Sequence, residues 1–313
     1  MKVERIPLRD GRDDVTLTTY VLDDSGEMLD GSPRPAVLIL PGGAYLTCSD
    51  REGEPVALAF ASLGYHAFVL RYSVYGDADP MQDLEPRERS QFPHPLVDVG
   101  LAMREIRDRA EEWRVDPSRI VVCGFSAGGH NAAMYGTHWD KPVITDAVGE
   151  GLRPGALIVS YAITDYVDVA ERAREQGAVE QAIRRAAAVA YLGTTEPGHD
   201  ALIAASPALL ADESTPPSFI WATGADSLVP ARHSLRFAAR LADVGVPYEL
   251  HVYEQGRHGL SLATQASAGS RGDLDSRAAD WFRQASSWLE ARFALDVPEL
   301  SAWERRPLRE DPR

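Results

Sequence analysis

Along the chain, short runs of consecutive apolar residues alternate with longer stretches in which apolar residues recur every three or four positions. The runs at 15–21, 36–40, 67–71, 119–123, 156–160, 218–223 and 248–253 predict strands. The central ones are apolar throughout, as a sheet buried on both faces requires. The stretches at 54–63, 95–113, 127–138, 230–244 and 276–293 predict helices; in the second, Val97, Leu101, Met103 and Ile106 fall at helical spacing. Strands alternating with helices in this way predict an α/β fold, a mostly parallel central sheet covered by helices on both faces. Asp116-Pro117-Ser118 and Gly245-Val246-Pro247 mark places where one element stops and another begins.

Two long connections break the rhythm, 73–92 and 161–217. The first is rich in charge and turn residues. The second carries a helical pattern of its own at Val179, Ile183, Ala186, Ala187 and Tyr191. Long ordered loops on such scaffolds often shape binding sites, so both are candidates to cover an active site, although a surface excursion packing on the sheet edge has the same pattern. The tail after Val297, with Arg305, Arg306, Pro307 and Arg309, is expected to be loosely held. The chain, 1–313, reads as a single domain, since α/β folds of this length are built around one sheet.

Composition narrows the function classes. With 44% hydrophobic and 25% charged residues the chain is an ordinary globular one. The 32 basic residues against 47 acidic give a net charge of −15, without the basic footprint that nucleic acid requires. Cys48 and Cys123 cannot build a disulfide framework, and no Cys/His spacing matches a zinc site, so two reduced thiols and no metal are expected. No apolar run reaches the ~18 residues of a membrane span and the start lacks a signal-peptide pattern, which makes the cytoplasm the expected location.

The sharpest chemical signal is Gly124-Phe125-Ser126-Ala127-Gly128, a G-x-S-x-G preceded by the β-branched Val121-Val122 and followed by an alanine-rich helical run. That strand-turn-helix context is the one in which a serine is held exposed on a sharp turn as a nucleophile. A serine hydroxyl attacks poorly unless a base takes its proton, so an acid and a histidine should follow in that order. Asp226 lies just after the run at 218–223, and His258 lies in a glycine-flanked loop after the run at 248–253. Loops at the carboxyl ends of parallel strands share one edge of the sheet, so the three can converge. Asp226 equally suits a helix N-cap or turn, and His258 a solvated loop histidine. The remaining histidines, His130 on the helix after Ser126 among them, have no such logic.

Acyl transfer also needs amide donors for the developing oxyanion. The backbone N–H of Ala127 is one candidate. Gly43 and Ala44, in Pro41-Gly42-Gly43-Ala44-Tyr45 after the run at 36–40, are the others; the alternative is an ordinary Gly-Gly turn.

At these residues the chain resembles bacterial α/β-hydrolase esterases related to hormone-sensitive lipase, especially the acetyl esterase and acetylxylan esterase-like members. The resemblance covers about residues 30 to 290. It rests on the Pro41–Tyr45 loop, Arg51-Glu52-Gly53-Glu54-Pro55-Val56-Ala57, Leu70-Arg71-Tyr72-Ser73-Val74, the segment 124–130, Asp226 with Val229-Pro230, and Gly256-Arg257-His258-Gly259-Leu260. It implies an α/β-hydrolase fold and hydrolysis of short acyl esters through an acyl-serine, without metal or organic cofactor. The implied substrate is a small-molecule ester, often an acetylated sugar. Pro41 stands where the family's HGGG-type loop has histidine and Ala44 where it has the last glycine, which leaves open which of residues 42 to 44 points inward. An amidase, aryl formamidase or peptidase of the same fold is a second reading, and a non-catalytic ligand-binding member a third. From their place in long loops, Tyr75, Met81, Phe92 and the 161–217 segment are expected to line the acyl or alcohol pocket. Acyl length, sugar specificity and oligomeric state, a homo-oligomer included, are left open.

Overall fold

The computed structural model describes residues 1–29, 31–76, 78–172 and 177–305; residue 77 of the first insertion, 173–176 of the second and 306–313 of the tail, with Arg306, Pro307 and Arg309, lie outside the described residues. All seven predicted strands form and join one sheet, with an eighth at the amino end. The strands are β1 (Arg5–Pro7), β2 (Thr16–Tyr20), β3 (Arg34–Leu40), β4 (His66–Arg71), β5 (Val115–Phe125), β6 (Ala156–Ser160), β7 (Ser218–Thr223) and β8 (Tyr248–Tyr253). Their order is β1-β2-β4-β3-β5-β6-β7-β8. The β1/β2 and β2/β4 pairs are antiparallel and the rest parallel.

The described helices are α1 (Glu54–Ala61), α2 (His94–Asp108), α3 (Ala110–Trp113), α4 (Ala127–His138), α5 (Pro142–Val148), α6 (Tyr166–Glu171), α7 (Ala178–Leu192), α8 (His199–Ala204), α9 (Pro207–Leu210), α10 (Arg232–Asp243) and α11 (Asp280–Phe293). The predicted helix at 95–113 is two helices, broken at Arg109. Asp116-Pro117-Ser118, predicted to precede a strand, lies inside β5, where a register shift against β3 absorbs the proline.

Alternation along each strand sends side chains to two cores. In β3, Ala36, Leu38 and Leu40 join the larger cluster with residues of α2 and α4, whereas Val37 and Ile39 join the smaller one. That smaller core is closed by Phe60 of α1 and by Trp281 and Leu289 of α11. Trp221 of β7 stacks on Trp281 with centroids 5.1 Å apart, a contact worth ~1 kcal/mol beyond its buried area. The Trp281 indole N–H donates to Ser261 O at 2.9 Å, so the same packing fixes the loop that follows His258. Cys48 and Cys123 are free and buried, and burial pushes the Cys48 thiol up to about 12. No described helix is long and apolar enough to cross a membrane.

Candidate active site

β5 lies in the middle of the sheet, and Ser126 follows its last residue directly. Ser126 has φ 50° and ψ −116°, a conformation that a side chain adopts only when its surroundings impose it. The Ser126 N–H donates to Ser160 O of β6 at 2.9 Å, and Ser126 O accepts from His130 N at 2.8 Å, so strand and helix grip the turn from both sides. The flanking glycines are required by close approach. A Cβ on Gly124 would sit 2.1 Å from Gly128 O, and one on Gly128 would sit 2.0 Å from Leu40 O. The first turn of α4 is thus pressed against the ends of β5 and β3.

The three residues singled out in the sequence meet here. The Ser126 hydroxyl lies 2.7 Å from His258 Nε2, and His258 Nδ1 lies 2.6 Å from Asp226 Oδ2. A carboxylate can only accept, so Nδ1 carries the proton and donates to Asp226, leaving Nε2 free to accept from Ser126. Asp226 Oδ1 accepts from the amides of Leu228 and Val229, both at 2.9 Å. The turn-forming role open to this aspartate is therefore filled as well, by its other oxygen. Asp226 is buried, while the His258 side chain keeps 16% of its surface open to the site.

Beside Ser126, the turn after β3 carries Gly43 at φ 133°, Ala44 at 56° and Tyr45 at 58°. The Gly42 amide is committed to the buried Glu52, donating to Oε2 at 2.7 Å. Among the described residues none accepts from the Gly43 or Ala44 amide. Ala127 is the first residue of α4, so its N–H has no acceptor within the helix. The amides of Gly43, Ala44 and Ala127 are therefore uncommitted, and that of Gly42 is not.

A narrow cavity of about 40 Å³, partly open to solvent, runs from Ser126 along Ala44, Tyr45 and His130. Its far wall comes from the second insertion: Ile163 and Tyr166 near α6, and Ile183, Arg184 and Ala187 of α7. Bonds at both ends hold α7 down. Ser227, next to Asp226, donates to Glu180 Oε1 at 3.0 Å, and in the first insertion Ser90 Oγ and Phe92 N donate to the carbonyls of Ala190 and Tyr191, each at 2.9 Å. The two insertions thus interlock. Tyr75, Met81 and Phe92, expected to line the pocket, do not: Tyr75 is buried and donates to Glu85 O, Met81 is exposed, and Phe92 packs edge-on to the Tyr191 ring.

Two residues of the site, His130 and Glu52, lie in segments that carry the family resemblance but have no role legible from the sequence. His130 is fully buried, with Nε2–H donating to Ala205 O at 2.8 Å and Nδ1 accepting from the Tyr45 hydroxyl at 2.6 Å. Burial holds its pKa down at about 4, so the ring is neutral. Glu52 is the other, a buried carboxylate directly behind the Gly42 turn.

A family profile, BD-FAE, matches residues 27–241. Endo-1,4-beta-xylanase B of Butyrivibrio fibrisolvens is 31% identical over 239 residues, which is 75% of this chain and 34% of that protein. The acetylxylan esterase of Xylanibacter ruminicola is 25% identical over 73% of this chain and 42% of its own length. The chain thus spans well under half of either curated relative. Among solved structures, the acetyl ester-xyloside bifunctional hydrolase of Caldicellulosiruptor lactoaceticus superposes with a TM-score of 0.71 at 30% identity, covering 92% of this chain and 96% of that one. The architecture is the α/β-hydrolase fold.

Proposed function

The chain belongs to the BD-FAE family, and from that premise we propose that it is a serine esterase that removes short acyl groups, chiefly acetyl, from small esters such as acetylated xylo-oligosaccharides. The observation that carries this reading is the unbroken hydrogen-bonded chain from Ser126 through His258 to Asp226 at the mouth of a narrow cavity. As the Ser126 oxygen attacks the ester carbonyl, its proton passes to His258 Nε2, and Asp226 stabilises the imidazolium through Nδ1–H. The carbonyl π electrons move onto oxygen, and the amides of Ala127 with Gly43 or Ala44 receive the resulting charge. One such donor is worth about 3 kcal/mol of barrier. Collapse expels the alcohol, which takes the proton from His258. Water, deprotonated by the same nitrogen, then releases the acid and restores the serine.

The short-acyl assignment is supported by the cavity walls. Tyr45, His130 and Tyr166 are large and buried, and they leave room beside Ser126 for a small apolar group. The acetyl-sugar assignment is supported by the activities named for the relatives, an acetylxylan esterase and an acetyl ester-xyloside hydrolase.

The test is release of p-nitrophenol from acetate, butyrate and octanoate by the wild type and by Ser126→Ala, followed by acetate release from acetylated xylo-oligosaccharides. A wild-type rate that falls with chain length and vanishes in the variant is the expected outcome. Equal rates in both proteins would reject the serine esterase. Faster turnover of an aryl formamide or other amide than of the matching ester would move the reading to an amidase.

A further inference from the structure

Glu52 closes the short 3₁₀ turn after the β3 loop and is 3% exposed. Its Oε2 accepts from Gly42 N at 2.7 Å, and its Oε1 accepts from the Tyr161 hydroxyl at 2.7 Å. That hydroxyl in turn accepts from Ser261 N at 3.0 Å, which commits its own hydrogen to Glu52. Both carboxylate oxygens therefore act as acceptors, the pattern that suits the ionised form. The neighbouring Arg51 turns away to Asp273 at 3.2 Å. A buried carboxylate with hydrogen bonds and no bonded cation is costly, and a protein that needed only the bonds could make them with neutral groups.

What the carboxylate joins is specific. Gly42 begins the turn that presents Gly43 and Ala44, and a Cβ on Gly42 would meet Glu52 Oε2 at 2.8 Å and Ser126 Cβ at 2.9 Å. The carboxylate therefore stands immediately behind the nucleophile. Through Tyr161 it reaches Ser261, close after His258, and the Tyr161 ring lies edge-on to the His258 ring with centroids 5.2 Å apart. The arm carrying the oxyanion amides and the arm carrying the base both end on one side chain.

We propose that Glu52 is a positioning residue of this site: its ionised carboxylate locks the oxyanion turn to the histidine loop, and its charge favours the imidazolium that His258 becomes during acyl transfer. The inference rests on the serine esterase reading. The groups facing Glu52 are Tyr161 after β6, Tyr72 after β4, Cys123 of β5 and His258, and its neighbour Arg51, though turned to Asp273, is near enough to act on it by charge. His258 is faced in turn by Asp226, Ser126 and Tyr161. Burial raises the Glu52 pKa, while Tyr161, Gly42, His258 and Arg51 act the other way. The attraction between Glu52 and a charged His258 is mutual.

The test compares wild type, Glu52→Gln and Tyr161→Phe in the kcat/KM profile against pH, and follows the His258 ring resonances by NMR through the same range. Glu52→Gln keeps the shape, removes the charge and replaces one of the two acceptors with an NH2 donor. It is expected to lower kcat on the order of tenfold, with the acidic limb and the His258 titration midpoint both moving to lower pH. Tyr161→Phe keeps the charge and removes one donor, so the carboxylate protonates more readily and the acidic limb moves to higher pH. If Glu52→Gln does not fold, the Tyr161→Phe displacement alone decides. Limb and midpoint unmoved from wild type would overturn the inference, whatever happened to kcat. A His258 midpoint that moves in Glu52→Gln while Ser126→Ala hydrolyses esters as fast as wild type would reject the esterase reading and leave the electrostatic coupling standing.

Discussion

Lowering the pH should loosen the fold through His130, and the size of the effect follows from its surroundings. The ring is buried and neutral, its Nε2–H donating to Ala205 O and its Nδ1 accepting from Tyr45. Protonation would put a second hydrogen where Tyr45 already donates. Its pKa is about 4 in the fold against an ordinary 6.5. Because the folded value is the lower one, the unfolded chain binds the proton first. Stability is complete above the unfolded pKa and is lost as pH falls from 6.5 toward 4. The full gap is worth about 3 kcal/mol, and about 2 kcal/mol of it is gone at about pH 5. The assay is urea denaturation of wild type and His130→Gln at about pH 7 and about pH 5. The variant is expected to be the less stable protein at neutral pH, because Gln cannot reproduce both bonds, yet to lose about 2 kcal/mol less on acidification. His66 and His233, each also held at about 4 by burial, contribute equally to both proteins and cancel in the comparison. Equal losses in the two would refute the assignment of a buried, neutral His130.

Three further outcomes follow from the geometry. Gly128→Ala should destabilise the protein by about 3 kcal/mol or prevent folding, since its Cβ would lie 2.0 Å from Leu40 O; a melting temperature within a few degrees of wild type would contradict the close approach of α4 to β3. Asp226→Asn should lower kcat by about 10⁴-fold by presenting the wrong His258 tautomer to Ser126, with the circular dichroism spectrum unchanged; a loss below about tenfold would dismiss Asp226 as the partner of the base. Tyr166→Ala should widen the cavity beside Ser126 and raise the octanoate-to-acetate ratio of kcat/KM by at least about tenfold, whereas an unchanged ratio would place the acyl group elsewhere.

The sheet was legible in the sequence because its inner strands are buried on both faces and so appear as uninterrupted apolar runs; 156–160 and 218–223 coincide with β6 and β7, and the edge strand β8 coincides with 248–253 although it is only half-buried. β1 was not, since three residues, Arg5–Pro7, at an exposed edge carry no period. The short helices α5, α6, α8 and α9 were missed for a related reason, being too brief to show a repeat. Ser126, Asp226 and His258 were legible because each needs a turn with its own local composition. Glu52 and His130 were not. Their roles arise from bonds to Tyr161 and Tyr45, 109 and 85 residues away in the chain, which the segments 51–57 and 124–130 do not reveal by themselves. Tyr75, Met81 and Phe92 misled because a place in a long loop does not determine which way the loop folds.

The interlocked insertions divide the walls of the site between two supports. Ser126, Asp226 and His258 descend from the ends of β5, β7 and β8, where any shift would propagate through the sheet. The opposite wall rests on α7, fastened by Ser227, Ser90 and Phe92. Substitutions on the inner face of that helix would reshape this wall of the cavity without moving the strand ends from which Ser126, Asp226 and His258 hang.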